Sequence, residues 1–155
     1  MAETRVTIRK AGIRECQIIA RFNQEMARET EGRLLDFDTV WAGVKAVIKD
    51  QHKGFYLVAE HPATGEIAGQ MLITYEWSDW RNRSFWWIQS VYVKPEFRRQ
   101  KIFGRLFGHV AELARFRRDV AGLRLYVEKH NQTAKQTYEN LGIIQSGYDF
   151  FELEF

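Results

Sequence analysis

A chain of 155 residues that is 45% hydrophobic and 14% aromatic can bury a core without disulfides or metals, and it reads as one globular domain, residues 1–155. A formal charge of +3 is too slight to argue for nucleic-acid binding. No stretch nears the roughly 18 apolar residues of a membrane span, and Met1 to Lys10 has no apolar run, so the expectation is a soluble, non-exported protein with the cytoplasm as its default location.

Thr4 to Lys10 alternates apolar and polar residues as an opening strand does. Ile13, Cys16, Ile19, Ala20, Phe22 and Met26 then recur at helical spacing, and the single cysteine, Cys16, reads as a buried thiol within that stripe. A second helix spans Asp36 to Lys49, with Asp36 or Asp38 as its cap. Phe55 to Glu60 and Glu66 to Trp77 form a hairpin about the turn His61-Pro62-Ala63-Thr64-Gly65. After the polar link Ser78 to Arg83, Ser84 to Val93 is the most aromatic and β-branched segment and should lie centrally in the sheet.

Lys94-Pro95-Glu96 breaks that strand. A long helix follows, with Ile102, Leu106, Val110 and Leu113 as its buried stripe, running to about Asp119. Leu123 to Glu128 alternates as a fifth strand, Asn131 to Asn140 forms a short helix stopped at Leu141-Gly142, and Tyr148 to Phe155 closes the chain as a strand. The order is mixed α/β, and no repeat or linker marks a second domain.

Charge is unevenly placed. Lys94 to Arg118 holds eight Lys or Arg against two Glu, whereas Glu25 to Asp38 holds five acids against two Arg. The basic half centres on a loop entering a helix, where unpaired backbone N–H groups and the helix dipole favour an anion. Arg98, Arg99, Lys101 and Arg105 surround that mouth and suit a pyrophosphate.

Here the sequence resembles the GNAT superfamily of N-acetyltransferases. Its signature of Arg or Gln, two residues, Gly, one residue, Gly or Ala aligns with Arg98-Arg99-Gln100-Lys101-Ile102-Phe103, with Lys101 and Phe103 at the two glycine positions. Glycine there lets backbone approach phosphate closely, so Lys101 needs an allowed φ and an outward side chain. Asn131, Ala134, Tyr138 and Leu141-Gly142 match a second family pattern. The seven residues from Asn131 to Tyr138 are two helical turns, which puts both on one face with Ala134 between them.

The resemblance implies a GNAT fold: a mixed, mostly antiparallel twisted sheet flanked by helices, splayed between the fourth and fifth strands. It implies acetyl-coenzyme A as cosubstrate, held by the backbone of Val91, Tyr92 and Val93, by the loop from Arg98, Arg99, Gln100 and Lys101 through Ile102, Phe103 and Gly104, and by Asn131 and Ala134. Tyr138 becomes the acid that protonates the departing thiolate. Its phenol is a reasonable donor at neutral pH, while the plain alternative is a tyrosine that packs its helix on the sheet. The family often forms homodimers through edge strands and C-terminal segments, and Tyr148 to Phe155 suits such an edge.

The layout around Tyr75 to Trp87 resembles the diamine acetyltransferase branch, with Gln89 where some relatives carry an acid. Glu76, Glu128 and Asp79 are candidate bases, each more often a solvated charge. Glu25, Glu29, Glu31, Asp36 and Asp38 form either an acidic rim that steers a cationic amine or an ordinary charged surface. Of Trp77, Trp80, Trp86 and Trp87, at least half are expected in the core and the others are open to cation–π contact. The four histidines lack metal-ligand spacing, so no metal is expected. The candidate acceptor-binding set is Glu29, Glu31, Glu76 and Gln89. Competing readings are transfer of another acyl group, acetylation of a protein terminus, and a catalytically weak coenzyme A sensor on the same fold.

Overall fold

The computed structural model describes residues 4–155, so the reading of Met1 to Glu3 lies outside the described residues. The chain forms two compact units, one ending at Leu125 and the other Tyr126–Phe155.

The first unit contains β1 (Thr7–Lys10), a 3-10 turn (Ile13–Glu15), α1 (Cys16–Glu31), α2 (Phe37–Lys49), β2 (Phe55–Glu60), β3 (Ile67–Ser78), β4 (Arg83–Val93), a second 3-10 turn (Pro95–Phe97), α3 (Ile102–Phe116) and β5 (Val120–Arg124). The strands lie in the order β1-β2-β3-β4-β5. All neighbours are antiparallel except β4 and β5, which α3 joins as the crossover that a parallel pair requires. The mixed, mostly antiparallel sheet expected from the sequence is present.

Helices cover both faces, so β2 is buried along nearly its whole length instead of alternating with solvent. On one face, Cys16, Ile19, Ala20 and Phe22 of α1 and Val44 of α2 pack with Tyr56, Val58, Leu72 and Tyr92. Leu57 and Met71 are offset by one residue and point to the opposite face. There Ile102, Leu106 and Val110 of α3 are buried at four-residue intervals. Leu113, expected in that stripe, is 37% exposed, and Ala114 takes the buried position. Cys16 is buried as expected, and burial pushes its thiol pKa up. Trp86 is buried and meets the Phe55 ring edge-on at 5.3 Å, whereas Trp77 and Trp80 are exposed.

Asp36 caps α2, its carboxylate accepting from the Thr39 N–H at 2.9 Å. Other boundaries moved. The opening strand starts at Thr7, the long helix ends at Phe116, and the fifth strand is Val120–Arg124, three residues earlier than the alternation suggested. Pairing decides that last case: Ser84↔Val120 through Trp87↔Arg124 form the ladder, and Tyr126 lies beyond it.

The second unit holds α4 (Gln132–Asn140). Tyr148 to Phe155 is not a strand, because a strand needs a ladder partner and this segment has none among the described residues. Its aromatic side chains are exposed, and Phe150 meets Tyr126, at 5.3 Å between ring centroids.

Candidate active site

The site begins where β4 outruns β5. The parallel ladder ends at Trp87↔Arg124, yet β4 continues through Ile88 to Val93. Over that length its only strand neighbour among the described residues is β3, which is the splay anticipated between the fourth and fifth strands. On the far edge Ile88 to Val93 has no ladder partner among the described residues, which is the arrangement that pairing with an extended ligand requires.

The same length of β4 is bulged. Gln70 pairs with Tyr92 and Leu72 with Gln89, which leaves Ser90 and Val91 opposite Met71 alone. Ser90 sits in the left-handed region, φ 48°. Its carbonyl accepts from the Gln70 side-chain amide at 3.1 Å. At the end of the strand, Gly69 of β3 allows close approach, since a Cβ there would lie 2.9 Å from the Tyr92 carbonyl oxygen.

The loop into α3 follows directly. Arg98 is extended, while Arg99 and Lys101 have φ 63° and 60°, so Lys101 adopts the backbone of the glycine it replaces in the signature. Each non-glycine residue in that region costs roughly 1–2 kcal/mol. No side chain caps α3 from Lys101, so the first N–H groups of that helix keep the partial positive charge that favours an anion. Ile102 anchors the first turn at 2% exposure, while Arg99 and Lys101 stay exposed. Phe103 packs toward Phe107 along α3, with ring centroids 6.2 Å apart.

Two residues of the expected cofactor-binding loop have partners within the protein. Arg98 donates from Nε to the Val93 carbonyl and from Nη2 to Glu29, both at 2.8 Å, and lies 5.5 Å from the Tyr92 ring. Gln100 donates to the Glu96 carbonyl at 3.0 Å and receives the Thr4 hydroxyl. Both side chains thus shape the loop.

In the second unit, Asn131 is the N-cap of α4, its side-chain oxygen accepting from the Ala134 N–H at 3.0 Å. Tyr138 is half-buried, and burial raises its phenol pKa. Gly142, φ 85°, ends the helix: its N–H donates to Glu139 at 2.9 Å and that of Ile143 to Tyr138 at 3.0 Å, the two bonds of a Schellman cap. The Leu141-Gly142 pair is thereby explained as a helix stop.

The acceptor candidates are mostly engaged. Glu76 receives Arg124 Nη1 at 2.6 and 3.1 Å, and the Arg124 guanidinium lies 3.5 Å from the Phe85 ring centroid. Gln89 donates to the Thr74 hydroxyl across the strands. Glu25 pairs with Arg28, Asp79 accepts from the Trp80 N–H, and Glu128 accepts from the His130 N–H. Glu31, the last residue of α1, is exposed. Among the described residues, no group of three or more His, Cys, Asp or Glu could hold a metal, and no helix is long and apolar enough to cross a membrane.

Sequence reasoning missed one buried constellation. Gln70 in β3 and Asn23 in α1 are joined at 2.7 Å, and Asn23 reaches the Tyr56 hydroxyl at 3.4 Å. Gln70 was legible as the single polar side chain inside the apolar run Ile67 to Ile73, whereas Asn23 lies among Arg21, Gln24 and Glu25 and gave no such signal.

Comparison with known proteins agrees with this geometry. The acetyltransferase (GNAT) family model matches residues 16–143. Thialysine N-epsilon-acetyltransferases of Sus scrofa and Bos taurus are 33% and 34% identical, each over 88% of this chain and 83% of theirs. A possible acetyltransferase from Clostridium difficile 630 superimposes with a TM-score of 0.90 at 44% identity, covering 97% of both chains. A predicted acetyltransferase from Clostridium acetobutylicum, solved with acetyl-CoA, shares the fold at a TM-score of 0.77 and 15% identity, over 97% of this chain and 96% of that one. The chain belongs to the acetyltransferase (GNAT) family, and it is an N-acetyltransferase.

Proposed function

We propose that the whole chain, 1–155, is one catalytic domain that moves an acetyl group from acetyl-CoA to the primary amine of a small cationic acceptor. The observation that carries this reading is the open edge of β4 from Ile88 to Val93 running directly into the left-handed turn at Arg99 and Lys101. An extended chain with amides, ending in a pyrophosphate, has that succession of needs: backbone pairing first, then convergent N–H groups and positive charge. Acetyl-CoA supplies the activated thioester.

Within that reading, the backbone of Val91, Tyr92 and Val93 pairs with the pantetheine arm. Arg99, Lys101 and the first turn of α3 from Ile102 to Gly104 hold the phosphates, with Arg98 and Gln100 fixing the loop. Asn131 starts α4, and Ala134 keeps its face small beside the thiol end. Backbone N–H groups of the β4 bulge polarise the thioester carbonyl, and the acceptor nitrogen attacks it directly without a covalent enzyme intermediate. Tyr138 gives its proton to the departing thiolate, and its raised pKa keeps that proton in place at neutral pH.

Acceptor preference follows from the acidic surface of α1 and its junction with α2, where Glu31 is exposed and Glu29 stands paired with Arg98. The curated relatives' names supply the nearest guide, so thialysine and other lysine-like or polyamine-like amines head the candidates. Exposed Phe150, Phe151 and Phe155 support a homodimer with a second copy of this chain. We assign the protein to the cytoplasm.

The test is coenzyme A release from acetyl-CoA with thialysine, lysine, polyamines, aminoglycosides and peptides, for wild type and Tyr138→Phe. Turnover with a small cationic amine, strongly reduced in Tyr138→Phe, is expected. Acetyl-CoA binding without turnover on any amine would replace this reading with a coenzyme A sensor.

A further inference from the structure

The Gln70 side chain is fully buried in β3, among residues that are otherwise apolar. Its Nε2 donates to Asn23 Oδ1 at 2.7 Å and to the Ser90 carbonyl at 3.1 Å, while its Oε1 has no hydrogen-bond partner among the described residues. A buried amide left half satisfied carries a desolvation penalty that an apolar residue of the same size would avoid. Stability of the sheet therefore does not account for a glutamine here.

What the amide does is tie three elements at one point. Asn23 brings in α1 and, through the Tyr56 hydroxyl at 3.4 Å, β2. Ser90 brings in the bulge of β4. A bulge takes one residue out of the strand ladder, so its carbonyl needs another donor, and a serine at φ 48° does not hold this conformation by its own preference. The Gln70 amide supplies the donor, from a position that cannot shift because its own side chain is closed in by the core.

We propose that Gln70 is a positioning residue for acetyl transfer. By holding the Ser90 carbonyl it fixes the orientation of the Ser90–Val91 peptide, and hence the N–H presented to the thioester carbonyl at the open edge of β4. This rests on the reading of that edge as the acetyl-CoA site. Gln70 touches neither substrate; its effect passes through the backbone of β4, and Asn23 keeps the amide from turning over.

The experiment compares wild type, Gln70→Met, Ser90→Val and the double variant Gln70→Met/Ser90→Gly, each measured for kcat, acetyl-CoA Kd and thermal unfolding. Gln70→Met keeps size and removes both the donor and the unpaired oxygen, so cooperative unfolding is retained. Misorientation of the peptide lowers kcat by about 10- to 100-fold with acetyl-CoA Kd nearly unchanged. Glycine at position 90 adopts the left-handed backbone unaided, so the double variant regains most of the lost kcat, to within about threefold of wild type.

A merely structural glutamine would show a thermal shift with no such rescue. Ser90→Val leaves Gln70 intact and opposes the bulge from the other side, so kcat falls there too, even if Gln70→Met does not fold. Undiminished kcat in Gln70→Met, or in Ser90→Val should Gln70→Met not fold, overturns the proposal while leaving the acetyltransferase reading intact. Absence of acetyl-CoA turnover in wild type removes both.

Discussion

Arg98 and Glu29 meet at 2.8 Å, joining the loop before α3 to the last turn of α1. The sequence suggests a pyrophosphate for the arginine and leaves the glutamate either on an amine-steering rim or on an ordinary charged surface; in the structure the two pair with each other. Both are substantially exposed, so the pair adds at most about 1 kcal/mol to stability. Glu29→Gln should leave the melting temperature within a few degrees and release the guanidinium toward the loop. Acetyl-CoA should then bind up to about fivefold more tightly at low ionic strength, with the gain fading as salt rises. Calorimetric titration at two salt concentrations checks this.

Lys101 offers a second test, because its φ of 60° is a backbone demand that can be separated from its charge. Lys101→Val puts a β-branched side chain where lysine already bears a left-handed penalty, and should lower the melting temperature further. Lys101→Gly should relieve the penalty of about 1–2 kcal/mol that Lys101 carries and raise the melting temperature by about 2–8 °C. Both variants lose a cation beside the phosphates and should bind acetyl-CoA more weakly, with a flatter salt dependence. Thermal unfolding and binding of the pair separate the two effects.

At Gly142 the backbone is at φ 85°, and a Cβ would meet nothing within 4 Å, so the demand is purely conformational. Gly142→Ala should weaken the Schellman cap by about 1 kcal/mol and fray the last turn of α4. Hydrogen exchange in residues 138–143 should speed up, and kcat should fall because that turn carries Tyr138.

The pH dependence follows from the same tyrosine. Burial raises its phenol pKa, so the folded state holds the proton more tightly than the unfolded one. The stability it contributes is present below the ordinary value of about 10 and is lost as pH climbs through the raised folded value. Any alkaline fall of kcat caused by this group should lie above pH 10 or so, and Tyr138→Phe should abolish it. Tyrosinate absorbance, wild type minus Tyr138→Phe, reports the titration directly.

Much of the frame was legible because local chemistry agreed with the final packing. Asp36 capped the helix it precedes, and the aromatic run ending at Val93 became the strand that borders the site. The misplacements arose where a distant partner decides. Val120–Arg124 is a strand because Ser84 to Trp87 lies beside it, and Tyr148 to Phe155 alternates well enough yet finds no ladder. Charge positions were readable, but pairings were not: Arg98 with Glu29 and Arg124 with Glu76 join residues far apart in the chain. The signature marked Lys101 as standing at a glycine position but not the left-handed φ that it adopts, and the role of Gln70 required the register of β3 against β4.

The most direct test of the central claim is amide hydrogen exchange of wild type with and without acetyl-CoA. Protection is predicted in two segments, Ile88 to Val93 and Arg99 to Gly104, since the open β4 edge and the left-handed loop are the proposed seat of the cofactor. Binding that protects neither segment, or no binding at millimolar acetyl-CoA, would contradict the account.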